Sequence, residues 1–240
     1  MNIKVDSHTH TLASAHAYST ISEMAQAAKE KGLELLAVTD HAPALEDSPP
    51  ALHFMNYHVL PGTLCGVEML YGTELSILDF NGNVDLDEDI LKRQDICIAS
   101  FHTMCTKPGT MEENTTAYIN AMDNPYVNII GHPDDGNVPV DFEKLVLAAK
   151  EKRVLIEINN SSLKTAYFRL HTRENILTIL QLCKQYQTMV SLGTDAHFSL
   201  AVGDFQETRQ ILKEADFPES LVANTSAVKF KAALRRHFQL

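Results

Sequence analysis

The chain has 240 residues and a mass of 26.7 kDa, which suits one large domain or two small ones, since a single core stops growing near about 250–300 residues. Twenty Lys and Arg against 31 Asp and Glu leave a net charge of −11, so the clustered basic surface of a nucleic-acid binder is not expected. No apolar stretch approaches the roughly 20 residues of a membrane span, MNIKVDSHTH lacks a leader layout, and Cys65, Cys97, Cys105 and Cys183 form no CxxC pair; a cytoplasmic protein with reduced thiols and no membrane partner is expected.

The elements alternate strand and helix. A short strand over residues 3–6 runs into SHTHT. Thr20-x-x-Glu23 has capping-box form and opens a helix through Lys31, with Gly32 behind it. Leu35–Val38 is the second strand and ends in TDHA, and the Pro-rich residues 42–64 form an excursion above the strand ends. Gly66–Glu74 is the third strand. The Asn81-Gly82 pair after it suits a type I′ hairpin. Strands follow at 96–100, 127–130, 154–158 and 189–192, with helices at 112–122, 141–152, 172–187, 205–215 and 226–237. Seven such units argue for an α/β fold with a parallel sheet, closed as a distorted (β/α)7 TIM-like barrel in a single domain over 1–240. No strand is followed by a glycine-rich nucleotide loop.

Six of the seven strands lead into metal-ligand residue types. These are His8, His10 and His16 after the first, His41 after the second, Glu74 at the third, His102 and His132 after the fourth and fifth, and Asp195 with His197 after the seventh. In a parallel barrel all strand C-termini share one face, so nine side chains converge at its mouth. Imidazole and carboxylate suit Zn, Mn or Fe, and nine ligands exceed what one ion uses; two or three ions are expected, with Glu74 bridging a pair. Any one of these histidines alone is more readily a hydrogen-bonded core or surface residue. His53 and His58 are candidates only for a pocket wall, His171 and His237 have no ligand role, and Cys105 reads as a packed thiol. Lys107, Lys164 and Arg169 are the cations close to strand ends. Asp6 and Asp40 are candidates for orienting imidazoles, and Asn159-Asn160-Ser161-Ser162 for a turn or a substrate contact.

His8-Thr9-His10 with His16, Thr39-Asp40-His41, Glu74, His102, His132 and Asp195-Ala196-His197 together resemble the PHP (polymerase and histidinol phosphatase) family, and within it the compact YcdX-like branch. The resemblance covers essentially the whole chain. It implies a trinuclear, zinc-type centre in which one ion is held by His8, His10, Glu74 and Asp195, a second by Glu74, His102 and His132, and a third by His16, His41 and His197. It further implies hydrolysis of a small-molecule phosphomonoester by a metal-activated water, with Glu74, Asp195 and His197 as the catalytic set. Asp134 and Asp135 add negative charge where an anion would arrive. Histidinol-phosphate phosphatase activity and a non-catalytic metal-binding module are the rival readings, and oligomeric state is left open.

Overall fold

A computed structural model describes residues 1–164 and 168–235. Eight strands form one sheet: β1 (Val5–Asp6), β2 (Leu35–His41), β3 (Thr63–Leu64), β4 (Val67–Ser76), β5 (Ile96–Ser100), β6 (Ile129–Ile130), β7 (Leu155–Asn159) and β8 (Val190–Gly193). Seven run parallel in the order β1-β2-β4-β5-β6-β7-β8, while β3 pairs antiparallel with the start of β4. The seam between the outer strands is drawn together by a parallel bridge from Thr9 to Ala196, so the sheet is a nearly closed barrel, as expected.

Alternation along the strands builds two cores. Side chains such as Leu36, Val38, Ile130, Ile156 and Leu192 pack outward beneath the helices α1 (Ile21–Glu30), α4 (Met111–Ala121), α5 (Phe142–Lys152), α7 (Thr172–Tyr186) and α8 (Gln206–Glu214). Val5, Leu35, Ala37, Leu70, Ile96, Ile98, Ile129 and Leu155 fill the barrel, joined by Phe230 and Ala227 of α9 (Ala227–Ala233). The N-terminal end of the barrel is therefore an apolar plug, and polar side chains are displaced towards the C-terminal ends of the strands.

The capping box at Thr20 and Glu23 forms as expected. A second box, Thr110 with Glu113, starts α4 one residue ahead of the expected position. Two local expectations, the turn at Asn81-Gly82 and the segment after β7, are corrected. Only Gly82 takes a positive φ (+79°) and Asn81 does not, so the turn is not type I′; Asp79 instead gathers the amides of Asn81, Gly82 and Asn83. The 42–64 excursion is the crossover that returns the chain from β2 to β4, carrying the short helix α2 (Ala51–Met55) with Phe54 fully buried. The segment after β7 is the short helix α6 (Asn160–Lys164), whose Ser162 amide is capped by Asn159 Oδ1, and the remaining short helix α3 (Glu88–Leu91) precedes β5. The expected last helix reaches past α9 into residues 236–240, including His237, outside the described residues.

Candidate metal centre

His41 and Glu74 are paired in register on β2 and β4, which puts their side chains on one face of neighbouring strands. Across the seam, the Thr9–Ala196 bridge lays His8-Thr9-His10 beside Asp195-Ala196-His197, with the Asp195 amide donating to the His8 carbonyl (2.8 Å) and the His10 amide to the Ala196 carbonyl (2.9 Å). The bridge continues the strand pairing past β1, so both motifs keep the two-residue alternation that directs their outer members inward. His132 and Asp195 reach the site through left-handed backbone (φ +28° and +53°), strain of the kind retained where geometry is over-determined.

Glu74 sits at the middle. Its Oε1 lies 3.1 Å from His102 Nε2 and 2.8 Å from His132 Nε2, and accepts from Ser100 Oγ at 2.6 Å. Its Oε2 lies 2.8 Å from His41 Nδ1, 3.3 Å from His8 Nε2 and 3.5 Å from His10 Nε2. Asp195 Oδ1 lies 3.2 Å from His10 Nε2 and 3.7 Å from His8 Nε2, and His16 Nε2 lies 2.8 Å from His197 Nε2. All nine expected residues thus gather in one cluster, graded from buried His8, His10 and Glu74 to exposed His16. Three compact groups stand out: His8, His10 and Glu74; His41, Glu74 and His102; and His10, His41 and His197.

The outer nitrogens decide what the inner ones can do. Glu157, buried on β7, meets His8 Nδ1 at 2.7 Å, and a carboxylate only accepts, so Nδ1 carries the hydrogen. Ser14 Oγ spends its hydrogen on Asp40 (2.7 Å) and so accepts from His10 Nδ1 (3.2 Å), while His197 Nδ1 donates to the Asp195 carbonyl (3.0 Å). In neutral form His8 and His10 then aim Nε2 lone pairs at each other across 3.0 Å, and His197 aims one at His16. His41 Nδ1 and Glu74 Oε2 are buried with no hydrogen-bond partner among the described residues, although only 2.8 Å apart. Converging lone pairs and orphaned acceptors of this chemistry fit divalent cations.

The protonation tendencies agree. Burial disfavours a charged His8, yet Glu157, Glu74 and Asp195 together outweigh it and hold the ring well above the usual histidine range. Burial likewise opposes charge on His102, but Glu74 lifts it to about 9. Burial with the neighbouring His197 and His41 drops His10 well below the usual range and His16 to about 4. Glu74 and Asp195 resist burial through the surrounding imidazoles and stay well below the usual carboxylate range. Protons on His8 and His102 stand where cations would replace them.

Other expected residues divide. Asp40 orients His10 through Ser14, whereas Asp6 binds the Thr194 amide and hydroxyl and the Gly203 amide, shaping the loop before Asp195 and touching no imidazole among the described residues. Arg169 reaches Asp195 Oδ2 (3.3 Å) and Ser162 Oγ (2.7 Å), Lys164 is paired with Asp204, and Lys107 is exposed. Asn159 donates to Asp195 Oδ2 and Glu157 Oε2, while Asn160 ties α6 to Thr208 of α8. Cys105 is half-buried beside His102, and His53 packs against Phe54 and Tyr57. Glu157 had no role in the sequence reading; its signal is a carboxylate inside the otherwise apolar run Val154–Ile158.

The PHP domain family model matches residues 6–219. The chain belongs to the PHP domain family. Among PHP relatives, it is 46% identical to a protein of Clostridium novyi named "Probable phosphatase" over 98% of this chain and 96% of that one, and 44% identical to a "Probable phosphatase" of Acetivibrio thermocellus over 98% and 97%. Its fold is similar to that of histidinol phosphate phosphatase from Lactococcus lactis, solved with zinc, L-histidinol and phosphate (TM-score 0.63, 18% identity, 91% of this chain and 95% of that one). Among the described residues, no helix of this PHP protein is long and apolar enough to cross a membrane.

Proposed function

We propose that this PHP protein is a metal-dependent phosphomonoesterase acting on a small molecule through a three-ion centre of the zinc type. Relatives more than 40% identical along nearly its whole length are named phosphatases, and the chain is a hydrolase. The observation that carries the reading is the gathering of seven imidazoles around Glu74 and Asp195, His16 through His197, with the outer nitrogens of His8, His10 and His197 anchored and His41 Nδ1 and Glu74 Oε2 without hydrogen-bond partners among the described residues. His8, His10, Glu74 and Asp195 would hold one ion, Glu74, His102 and His132 a second, and His16, His41 and His197 a third, with His10 near enough to His41 and His197 to share the last.

When bound, divalent ions supply the Lewis acidity that makes water nucleophilic near neutral pH and offsets phosphoryl charge. The protein's part is positioning. Glu157 fixes the proton of His8 on Nδ1 and, by accepting from the His132 amide (2.9 Å), holds a second ligand. Arg169, tethered to Asp195 and Ser162, retains N–H donors that can meet a phosphoryl oxygen at the edge of the cluster. Glu74, Asp195 and His197 are the residues assigned to the reacting end.

The test is hydrolysis of a phosphomonoester panel, histidinol phosphate included, by protein before chelation, after it, and after zinc is restored. Turnover that is lost and recovered supports the proposal; turnover indifferent to chelator refutes it. Preference for histidinol phosphate within the panel would narrow the reading to that substrate.

A further inference from the structure

Around the mouth, the loops that carry the candidate ligands also carry exposed apolar side chains. Leu12 lies two residues after His10, Tyr18 two after His16, Met104 two after His102, Phe198 one after His197, and Phe168 directly before Arg169; all five are between 48% and 83% exposed. Scattered exposed hydrophobics are ordinary, but each of these sits one or two residues from a candidate ligand or from Arg169. Three are drawn together by the backbone: the Leu12 amide donates to the Ser19 carbonyl (2.8 Å), the Tyr18 amide to the His197 carbonyl (2.8 Å), and the Ser199 amide to Ser19 Oγ (3.0 Å). Of the cations near the strand ends, Arg169 faces Asp195, Lys164 is engaged by Asp204, and Lys107 is exposed three residues after Met104, so the side of the rim carrying Leu12, Tyr18 and Phe198 is the apolar one.

We infer that the rim formed by Leu12, Tyr18, Met104, Phe168 and Phe198 binds the leaving group of the substrate, and that this leaving group is an apolar alkyl or aromatic body attached to a single phosphoryl group. The inference rests on the phosphomonoesterase reading, because the phosphoryl must sit at the cluster for its substituent to reach the rim. The geometry separates two demands: a dianion at the centre and an uncharged, apolar body outside it. A second anionic group would meet Leu12, Tyr18 and Phe198 in place of a cation.

Alkylphosphonates, which cannot be hydrolysed, test this by calorimetric binding to the zinc-loaded protein. From methyl- to butyl- to hexylphosphonate, Kd is expected to fall about twofold to fourfold for each methylene that reaches the rim. Tyr18→Ser and Phe198→Ser should flatten that dependence, whereas Val228→Ser, exposed on α9 at the opposite end of the barrel, should leave it intact. Binding that ignores chain length overturns the inference and leaves the phosphomonoesterase reading standing. Failure of every phosphonate and of inorganic phosphate to bind overturns both. A rim substitution that changes oligomeric state in light scattering, with the length dependence kept, would show a contact between copies of the chain and likewise overturn the inference.

Discussion

Glu157 touches two candidate ligands at once, accepting from His8 Nδ1 and from the His132 backbone amide. Glu157→Gln keeps the shape but removes the charge that favours a proton on His8 Nδ1, and partners of this kind are worth about 10- to 100-fold in metal affinity. Zinc titration of the apo protein should show a loss in that range with an unchanged circular dichroism spectrum; unaltered affinity would deny the role. Asp134 behaves differently. It is fully buried, and burial pushes its pKa up to about 7 against the pull of Arg169 and of the Ser162 hydroxyl. A carboxyl raised above its ordinary value of 3.8 holds its proton more tightly when folded, so its contribution is complete below about pH 4 and is lost as pH rises towards about 7. Because His10 and His16 act in the opposite sense over the same window, the test is the difference between variants: the change in urea midpoint from wild-type apo protein to Asp134→Asn should vary between about pH 4 and 7, with the wild type losing ground as pH rises, and a constant difference would contradict the assignment. At this scale the nine candidate ligands were legible because imidazoles and carboxylates recur at the ends of six of the seven expected strands. Glu157 was not, because a lone acid within a strand takes its meaning from what faces it across the barrel.

The ends of the elements carry the local instructions. Thr20 and Thr110 each cap a helix through the same reciprocal arrangement with a glutamate three residues on. Thr20→Ala and Thr110→Ala should each cost about 1 kcal/mol in urea unfolding, and the double variant about the sum, since the two caps share no partner; a much larger combined loss would mean that the helices are coupled. Gly193 has a different purpose. A Cβ there would lie 2.1 Å from Glu157 Oε1 and 2.6 Å from His8 Cβ, so the end of β8 must be bare for the buried carboxylate to reach its histidine. Strands and long helices were readable from periodicity and caps. The turn at Asp79–Gly82 and helix α6 were not: Asp79, ahead of the Asn-Gly pair, captures nearby amides, and Asn159 caps the Ser162 amide so that the Asn-Asn-Ser-Ser run closes as a helix.

As a whole, the molecule divides a barrel between an apolar plug at one end and a charged cluster at the other. Phe230 of α9 is fully buried in that plug, and Phe230→Ala should lower stability by about 3–5 kcal/mol without dispersing the nine candidate ligands, which hang from the opposite ends of the strands. The closure itself was legible only as a preference, because the seam depends on β1 being two residues long and on the Thr9–Ala196 bridge taking over the pairing. That bridge is also what brings the first and last ligand motifs together. The central claim is that these side chains hold several cations around one carboxylate, and elemental analysis of chelator-free wild-type and Glu74→Gln protein tests it most directly. Three ions per wild-type chain, with more than one lost on the single substitution, is the expected result; one ion or none in the wild type would contradict the account.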